Sequence, residues 1–177
     1  MNATTKTSDS GMVTGLFHDR DSAESAYNSV SSRGYDADDV NLVMSDETRK
    51  RHFGDGVKTE LGTKAAEGAG IGGAVGGTLG AIAAAIAAVG TAVAIPGLGL
   101  IVAGPVAAAL AGAGAGGLTG GLVGALVGWG IPQERVEHYE AGIKNGGILM
   151  GVTPRTSDDA SYFEQEWKRN RGELVYR

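Results

Sequence analysis

Cysteine is absent from the 177-residue sequence, and so is any excess of basic residues. The first absence excludes disulfide bonds, thiol nucleophiles and cysteine-based zinc sites, and it suits a reducing compartment. The formal net charge of -5 predicts that nucleic acid is not a partner, because nucleic-acid binding leaves a basic footprint. Residues 1–11 also lack the apolar core of a secretory signal, and we expect them to form a disordered tail.

Sequence motifs of catalysis and phosphate binding are lacking as well. The histidines His18, His52 and His138 show no metal-ligand spacing, and no serine stands in a Gly-x-Ser-x-Gly turn. Residues 68–73 match Gly-x-Gly-x-x-Gly in letters, but no predicted strand precedes them and no acid follows before Glu134. The sequence therefore predicts no catalytic, cofactor-binding or metal-binding residue, no small-molecule substrate, and a protein that is not an enzyme.

The largest absence is that of charge, since no Asp, Glu, Lys or Arg stands between Glu67 and Glu134. This stretch consists mainly of Gly and Ala with Ile, Leu and Val, and its small residues recur at every fourth position. On an α-helix that spacing places them on one face, where they allow a second helix to approach closely. The predicted helix-packing residues are Gly68, Gly72, Gly76, Gly80, Gly112, Gly116, Gly120, Gly124 and Gly128.

We assign residues 63–130 to a helical hairpin, called the tract below, with arms over about residues 63–94 and 101–128. Its predicted hinge consists of Pro96, Gly97 and Gly99. Each arm exceeds the roughly 20 residues needed to cross a bilayer. Glycine in a water-exposed helix also costs about 1 kcal/mol relative to alanine, which favours a membrane hairpin. The alternative is a soluble assembly in which several hairpins bury their glycine faces against one another.

The polar segments on either side of the tract predict an α+β domain. Residues 12–62 contain two strands that are separated by a helix, with a capping box at Asp21 and Glu24, and then a basic linker. Residues 131–177 contain a helix, a strand, a second helix and a short last strand. Two βαβ units that share one sheet, each with parallel strands and with the helices on one face, form a ferredoxin-like sandwich. The tract is inserted between its halves.

Basic residues are concentrated in the linker before the tract, among several acids. One interpretation is a solvated helix and linker, and the other is a basic collar that meets anionic lipid on the cytoplasmic side. The two interpretations are compatible. The residues concerned are Arg49, Lys50, Arg51, His52, Lys58 and Lys64.

Three stretches of the polar segments resemble the bacterial general stress protein family, also called the heat-induced stress protein family. They are residues 13–20 (VTGLFHDR) with Ser22, Ala23 and Glu24, residues 132–147 (PQERVEHYEAGIKNGG), and residues 151–154 (GVTP). The tract is similar to a glycine-rich insert of some members. The resemblance implies association with stress and no catalytic motif.

The insertion of the tract into one domain restricts its path. Both halves of the domain must meet in one sheet, so the tract has to return to the side from which it leaves. We therefore expect an inner (cytoplasmic) membrane location with both termini cytoplasmic, or alternatively a soluble cytoplasmic assembly. The expected partners are further copies of the chain and the lipid bilayer.

Overall fold

The computed structural model describes residues 11–53, 82, 93–95, 99–105, 107, 121–128 and 130–177. The strands are β1 (Val13–Phe17), β2 (Val40–Ser45), β3 (Val93–Ile95), β4 (Leu100–Ala103), β5 (Ile148–Val152) and β6 (Glu173–Tyr176). The helices are α1 (Arg20–Ser31), α2 (Asp46–Phe53), α3 (Gly121–Gly128), α4 (Gln133–Lys144) and α5 (Ser157–Arg169), and a short 3-10 helix covers Ala37–Asp39. The chain therefore belongs to the predicted α+β class.

Side-chain caps determine where the helices begin. Asp19 caps α1, because its carboxylate accepts the backbone N–H of Ser22 at 2.8 Å. The capping box that the sequence analysis places at Asp21 is therefore wrong by two residues, and Asp21 lies in the first turn instead. Thr156 caps α5 in the same way, since its hydroxyl accepts the N–H of Asp159 at 3.0 Å. Both caps fix the direction in which a helix leaves the preceding strand.

The strands form one antiparallel sheet in the order β3-β4-β2-β5-β1-β6. Strand β5 lies between β1 and β2 and pairs antiparallel with both, through Leu16↔Leu149 on one side and Leu42↔Met150 on the other. β1 and β2 therefore run in the same direction, as expected, although they are not neighbours. Strand β6 pairs with β1 at one edge, and its register shifts between Thr14 and Leu16.

Helices cover both faces of the sheet, so the prediction that they lie on one face is wrong. The first core contains the apolar sides of α1 and α5, with Trp167, Phe163 and Phe17 fully buried. The second core contains α4 and part of α3, with Tyr139 and Leu126 fully buried. The reason is visible in β1 and β5, in which every residue is buried. A strand that is buried on both faces needs a layer on each side.

Part of the tract belongs to this sheet, which corrects the helical hairpin at those residues. β3 and β4 form a β-hairpin through Val93↔Val102 and Ile95↔Leu100, and β4 pairs with β2. From the sequence, these residues are predicted to lie at or beside the inner ends of two helical arms. Their β-branched side chains favour strands, and β4 covers an edge of β2 that would otherwise stay open. The four-residue spacing of small residues obscures this local preference.

Candidate interaction site of the tract

The structure describes only some of the predicted packing and hinge residues. Gly124 and Gly128 lie in α3, and Gly99 directly precedes β4 with a φ of +61°. The remaining positions lie outside the described residues, namely Gly68, Gly72, Gly76, Gly80, Pro96, Gly97, Gly112, Gly116 and Gly120.

Helix α3 has an inward and an outward side, although its sequence GLVGALVG contains no polar side chain. Leu126 is fully buried in the second core, and Val123, one turn earlier, is partly buried against it. On another side, Val127 is 46% exposed. A Cβ built on Gly124 would meet no described atom within 4 Å. Gly124 and Val127, three residues apart, form what we call the outer face of α3.

The end of α3 fixes which side is turned inward. The N–H of Gly130 donates to the carbonyl of Val127 at 2.9 Å, and that of Ile131 donates to Leu126 at 3.2 Å. Gly130 has a φ of +80°, which a glycine tolerates without strain. This pair of hydrogen bonds is a Schellman motif, and the usual apolar contact accompanies it, because Leu126 and Ile131 are buried in the same core. Val127 is thereby held on the outside.

Other described residues of the tract belong to the cores of the domain. Ile82 is fully buried in the first core together with Ile101 and Ala103. Leu100, Val102 and Ala107 lie in the second core beside Leu126. The tract is therefore not a separate hairpin at these positions. It supplies part of the packing on both faces of the sheet.

Gly104 lies in the second predicted arm at the same four-residue spacing as Gly112 and Gly116, but it serves a different purpose. It directly follows β4 and has a φ of +101°. A Cβ at this position would overlap the carbonyl oxygen of Val40 at the start of β2. Glycine is needed here by a turn and by a close approach of two backbones.

The basic segment is a charge-paired helix over its described part, residues 46–53. Arg49 is buried and donates to Asp46 at 2.8 Å, and the Lys50 ammonium lies 2.8 Å from the same carboxylate. The hydrogen bond from Lys50, which contributes most, and the one from Arg49 lower the pKa of Asp46 to about 2. The N–H of Asp46 donates to the carbonyl of Gly99 at 2.7 Å. The helix thus adjoins Gly99, directly before β4.

The titratable residues do not assemble into a reaction centre within the part of the chain that the structure describes. The Nε2 atom of His18 lies 3.2 Å from a carboxylate oxygen of Glu173 at an exposed position. His138 is exposed on α4, while the backbone carbonyl of His52 accepts from Arg20. No group of three or more His, Asp or Glu side chains among the described residues is placed to hold a metal ion.

Two polar networks are not anticipated by the sequence analysis. In one, the hydroxyl of Tyr139 donates to the carbonyl of Leu174 at 2.6 Å and lies 2.9 Å from the hydroxyl of Thr14. Burial raises the pKa of Tyr139. In the other, the hydroxyl of Tyr35 donates to Asp159 at 2.9 Å, and the Arg155 guanidinium lies 4.2 Å from the Tyr35 ring centroid. Each network includes a contact across more than a hundred positions, Thr14 with Tyr139 and Tyr35 with Asp159, which no local motif reveals.

No described helix combines the length and the apolar character that a membrane crossing requires. Comparisons of this chain with protein-family models, with curated proteins and with solved structures find no match.

Proposed function

We propose that this chain is a non-enzymatic protein of the bacterial stress response, and that its tract binds further copies of the same chain. The observation that carries the proposal is the outer face of α3. This face is apolar and half exposed at Val127, and it presents an open Cβ position at Gly124. An exposed valine beside a glycine provides apolar area and allows a close approach to a second helix. The association with stress rests on the resemblance of the polar segments.

We further infer that four of the strands form a ferredoxin-like unit. The order β6-β1-β5-β2 supports this, since it places the first and third strands of the polar segments at the centre and the fourth and second at the edges. Helices α1 and α5 connect the strands of each pair and share the first core. In this description, β3 and β4 extend the unit beyond β2, and α3 and α4 cover its second face.

Sedimentation velocity over a concentration series tests the proposed self-association. The Val127→Lys variant places a charge on the outer face, at a position exposed enough to leave the fold intact. We expect the wild type to form larger species as its concentration rises, and the variant to associate at least about tenfold more weakly. A tenfold change corresponds to about 1.4 kcal/mol, well within the cost of burying an unpaired ammonium.

Two controls separate the contact from general charge effects. Gln133→Lys adds the same charge at an exposed position of α4 and should leave association unchanged. Val127→Thr keeps the shape and adds a hydroxyl, so its effect should lie between those of the wild type and Val127→Lys. If the wild type stayed monomeric at every concentration, or if both lysine variants behaved alike, this function would be rejected.

The second candidate function is attachment to the inner (cytoplasmic) membrane, with both termini on the cytoplasmic side. The absence of charge from residue 68 to residue 133 favours it. Flotation with phosphatidylglycerol vesicles distinguishes the candidates. Wild-type protein that floats, with a Val127→Lys variant that does not, supports the membrane. Large species that stay below the vesicles support a soluble assembly.

A further inference from the structure

Helix α4 ends at an exposed asparagine that is followed by two glycines. Asn145 is its C-cap, with a φ of -83° and a ψ of 12°. The N–H of Gly146 donates to the carbonyl of Ile143 at 3.0 Å, and that of Gly147 donates to Gly142 at 2.9 Å. These hydrogen bonds form a Schellman motif, in which Gly146 has a φ of +92°. Of the five asparagines in the sequence, only Asn145 precedes a glycine.

An asparagine followed by glycine has the chemistry for spontaneous loss of its side-chain amide. The backbone nitrogen of the following residue loses its proton to solvent and bonds to the side-chain Cγ atom, while the Cγ–Nδ2 bond breaks and ammonia leaves. Water then opens the resulting cyclic imide. Cleavage of the C–N bond at Cγ gives aspartate, and cleavage at the main-chain carbonyl gives isoaspartate. Glycine favours ring closure because it has no Cβ to hinder the approach of its nitrogen.

The folded turn opposes this reaction at Asn145. Ring closure requires the Gly146 nitrogen to rotate towards the Cβ atom of Asn145, whereas a ψ of 12° places it beside the backbone nitrogen of Asn145. The N–H that has to be lost is also held by the carbonyl of Ile143. The turn has little room to move, since a Cβ at Gly147 would lie only 2.8 Å from the carbonyl oxygen of Gly142. Deamidation therefore requires the turn to open.

The end of α5 provides a matched comparison within the same chain. Asn170 is its C-cap, with a φ of -85° and a ψ of 29°, and the N–H of Gly172 closes the same type of turn. The residue between them is Arg171, with a φ of +61°. The Nδ2 atom of Asn170 also donates to the carbonyl of Glu166 at 2.8 Å, whereas the side chain of Asn145 forms no hydrogen bond with the described residues.

We propose that Asn145 is a deamidation site gated by the Schellman motif at the end of α4, and that Asn170 is protected. This inference does not depend on the proposed self-association. The product places a carboxylate at the negative end of the α4 dipole, and isoaspartate also inserts a carbon atom into the main chain. The turn lies against α2, since a Cβ at Gly146 would lie 3.4 Å from the Nη1 atom of Arg51. Deamidation thus loosens the end of α4 and its contact with α2.

Peptide mass spectrometry of the whole protein, incubated at mildly alkaline pH, measures the conversion at both asparagines. In denaturant we expect Asn145 to convert faster than Asn170. In the folded protein, conversion of Asn145 should be at least about tenfold slower than in denaturant, because two hydrogen bonds must break first. Equal rates in the folded and the unfolded chain would overturn the gate. Conversion of Asn145 in denaturant that is no faster than that of Asn170 would overturn the site.

Two glycine substitutions separate opening of the turn from a general loss of structure. Gly147→Ala keeps Asn145 and Gly146 but brings a Cβ against a main-chain carbonyl of α4, so we expect faster conversion of Asn145 under native conditions. Gly172→Ala is the matched control, because its Cβ would lie 2.6 Å from the carbonyl oxygen of Trp167 in α5. Equal acceleration of Asn145 by both substitutions would mean that global unfolding controls the reaction, and would overturn the gate.

Arg171→Gly tests the assignment in the opposite direction. It gives Asn170 the same following residue as Asn145, at a position of positive φ that glycine tolerates. In denaturant, Asn170 of this variant should convert at a rate similar to that of Asn145. An Asn170 that stayed as slow as in the wild type would refute the role of the following glycine.

Discussion

Helix α3 on the second face of the sheet differs in its outward side from the helices on the first face. On the first face, α5 packs Trp167 and Phe163 inward and carries the charged pair Lys168–Glu164 on its outer side. On the second face, α3 packs Leu126 inward and has no polar group to present outward. The first face is thus complete as a water-exposed surface. The second face also carries the charged pair Lys144–Glu140 on α4, but α3 keeps an apolar side that is exposed at Val127.

The largest expected effect is the loss of stability when a buried side chain is truncated, and we compare this loss between the two cores. Trp167 is fully buried, and its ring meets that of Phe17 edge to face at 5.8 Å. We expect Trp167→Ala to lower the free energy of unfolding by about 3–5 kcal/mol. Leu126→Ala should cost less, toward the lower end of about 2–5 kcal/mol, because α3 borders solvent at Val127 and can partly collapse. Denaturant unfolding of dilute protein measures both. Equal losses would mean that α3 is as deeply integrated as α5.

Two helical glycines, Gly142 in α4 and Gly124 in α3, differ in the space around them. A Cβ at Gly142 in α4 would overlap the Cδ2 atom of Leu16, whereas Gly124 in α3 has open space. Gly142→Ala should destabilise the fold by about 1–3 kcal/mol through overpacking. Gly124→Ala should stabilise it by up to about 1 kcal/mol, since alanine favours helix. Thermal unfolding measures whether each substitution lowers or raises the stability. A destabilising Gly124→Ala would show that α3 is packed on its outer face within a single chain.

The polar domain is predictable from local pattern, and the tract is not. The strand at residues 148–152 and the helix that starts near Pro132 follow from apolar spacing and from Gly146 and Gly147 between them. In contrast, β3 and β4 are short and lie inside a series of small residues with helical spacing. β4 pairs with β2, about sixty residues earlier in the chain, and β3 joins the sheet only through β4. The pairing of β4 with β2 cannot be inferred from a short stretch of sequence around either strand.

The candidate site was predictable only in part, for the same reason. The spacing of glycines pointed to Gly124, but not to its position on the outward side of α3. The Schellman motif at Gly130 and the burial of Leu126 decide that side. The contact of Glu24 with Ile82 joins residues 58 positions apart. That the tract is an interaction region stays a prediction from the sequence, whereas the contacts of its described residues with the domain required the structure.

A smaller effect concerns the edge of the second face, where Tyr139 supports β6. Its hydroxyl donates to the carbonyl of Leu174. Leu174 has a φ of +49° and lies where the register between β6 and β1 shifts. Tyr139→Phe leaves that carbonyl and the hydroxyl of Thr14 without this partner, so we expect a loss of about 1–2 kcal/mol. Tyr176→Phe is the control, because Tyr176 is 38% exposed and the substitution keeps the ring that contacts Arg135. Equal effects of the two substitutions would contradict the role of the Tyr139 hydroxyl.

The smallest expected effect concerns Asp46 at the start of α2, whose N–H donates to the carbonyl of Gly99. Hydrogen bonds from Lys50 and Arg49 lower the pKa of Asp46 from its usual value to about 2. A carboxyl whose pKa is lower in the folded state stabilises the fold above its unfolded pKa, and this contribution is lost as the pH falls through the folded value. The difference in stability between the wild type and Asp46→Asn should therefore be constant above about pH 5 and shrink between about pH 4 and pH 2.

Denaturant midpoints measured from pH 7 to pH 2 provide this comparison, and Glu47→Gln serves as the control. Glu47 is 81% exposed and pairs only with the exposed Arg51 among the described residues, so its removal should leave the pH profile unchanged. Added salt should weaken the effect of Lys50 more than that of Arg49, because Lys50 is 48% exposed and Arg49 only 5%. A difference between wild type and Asp46→Asn that persists undiminished at pH 2 would mean that Asp46 acts through its shape and not through its charge.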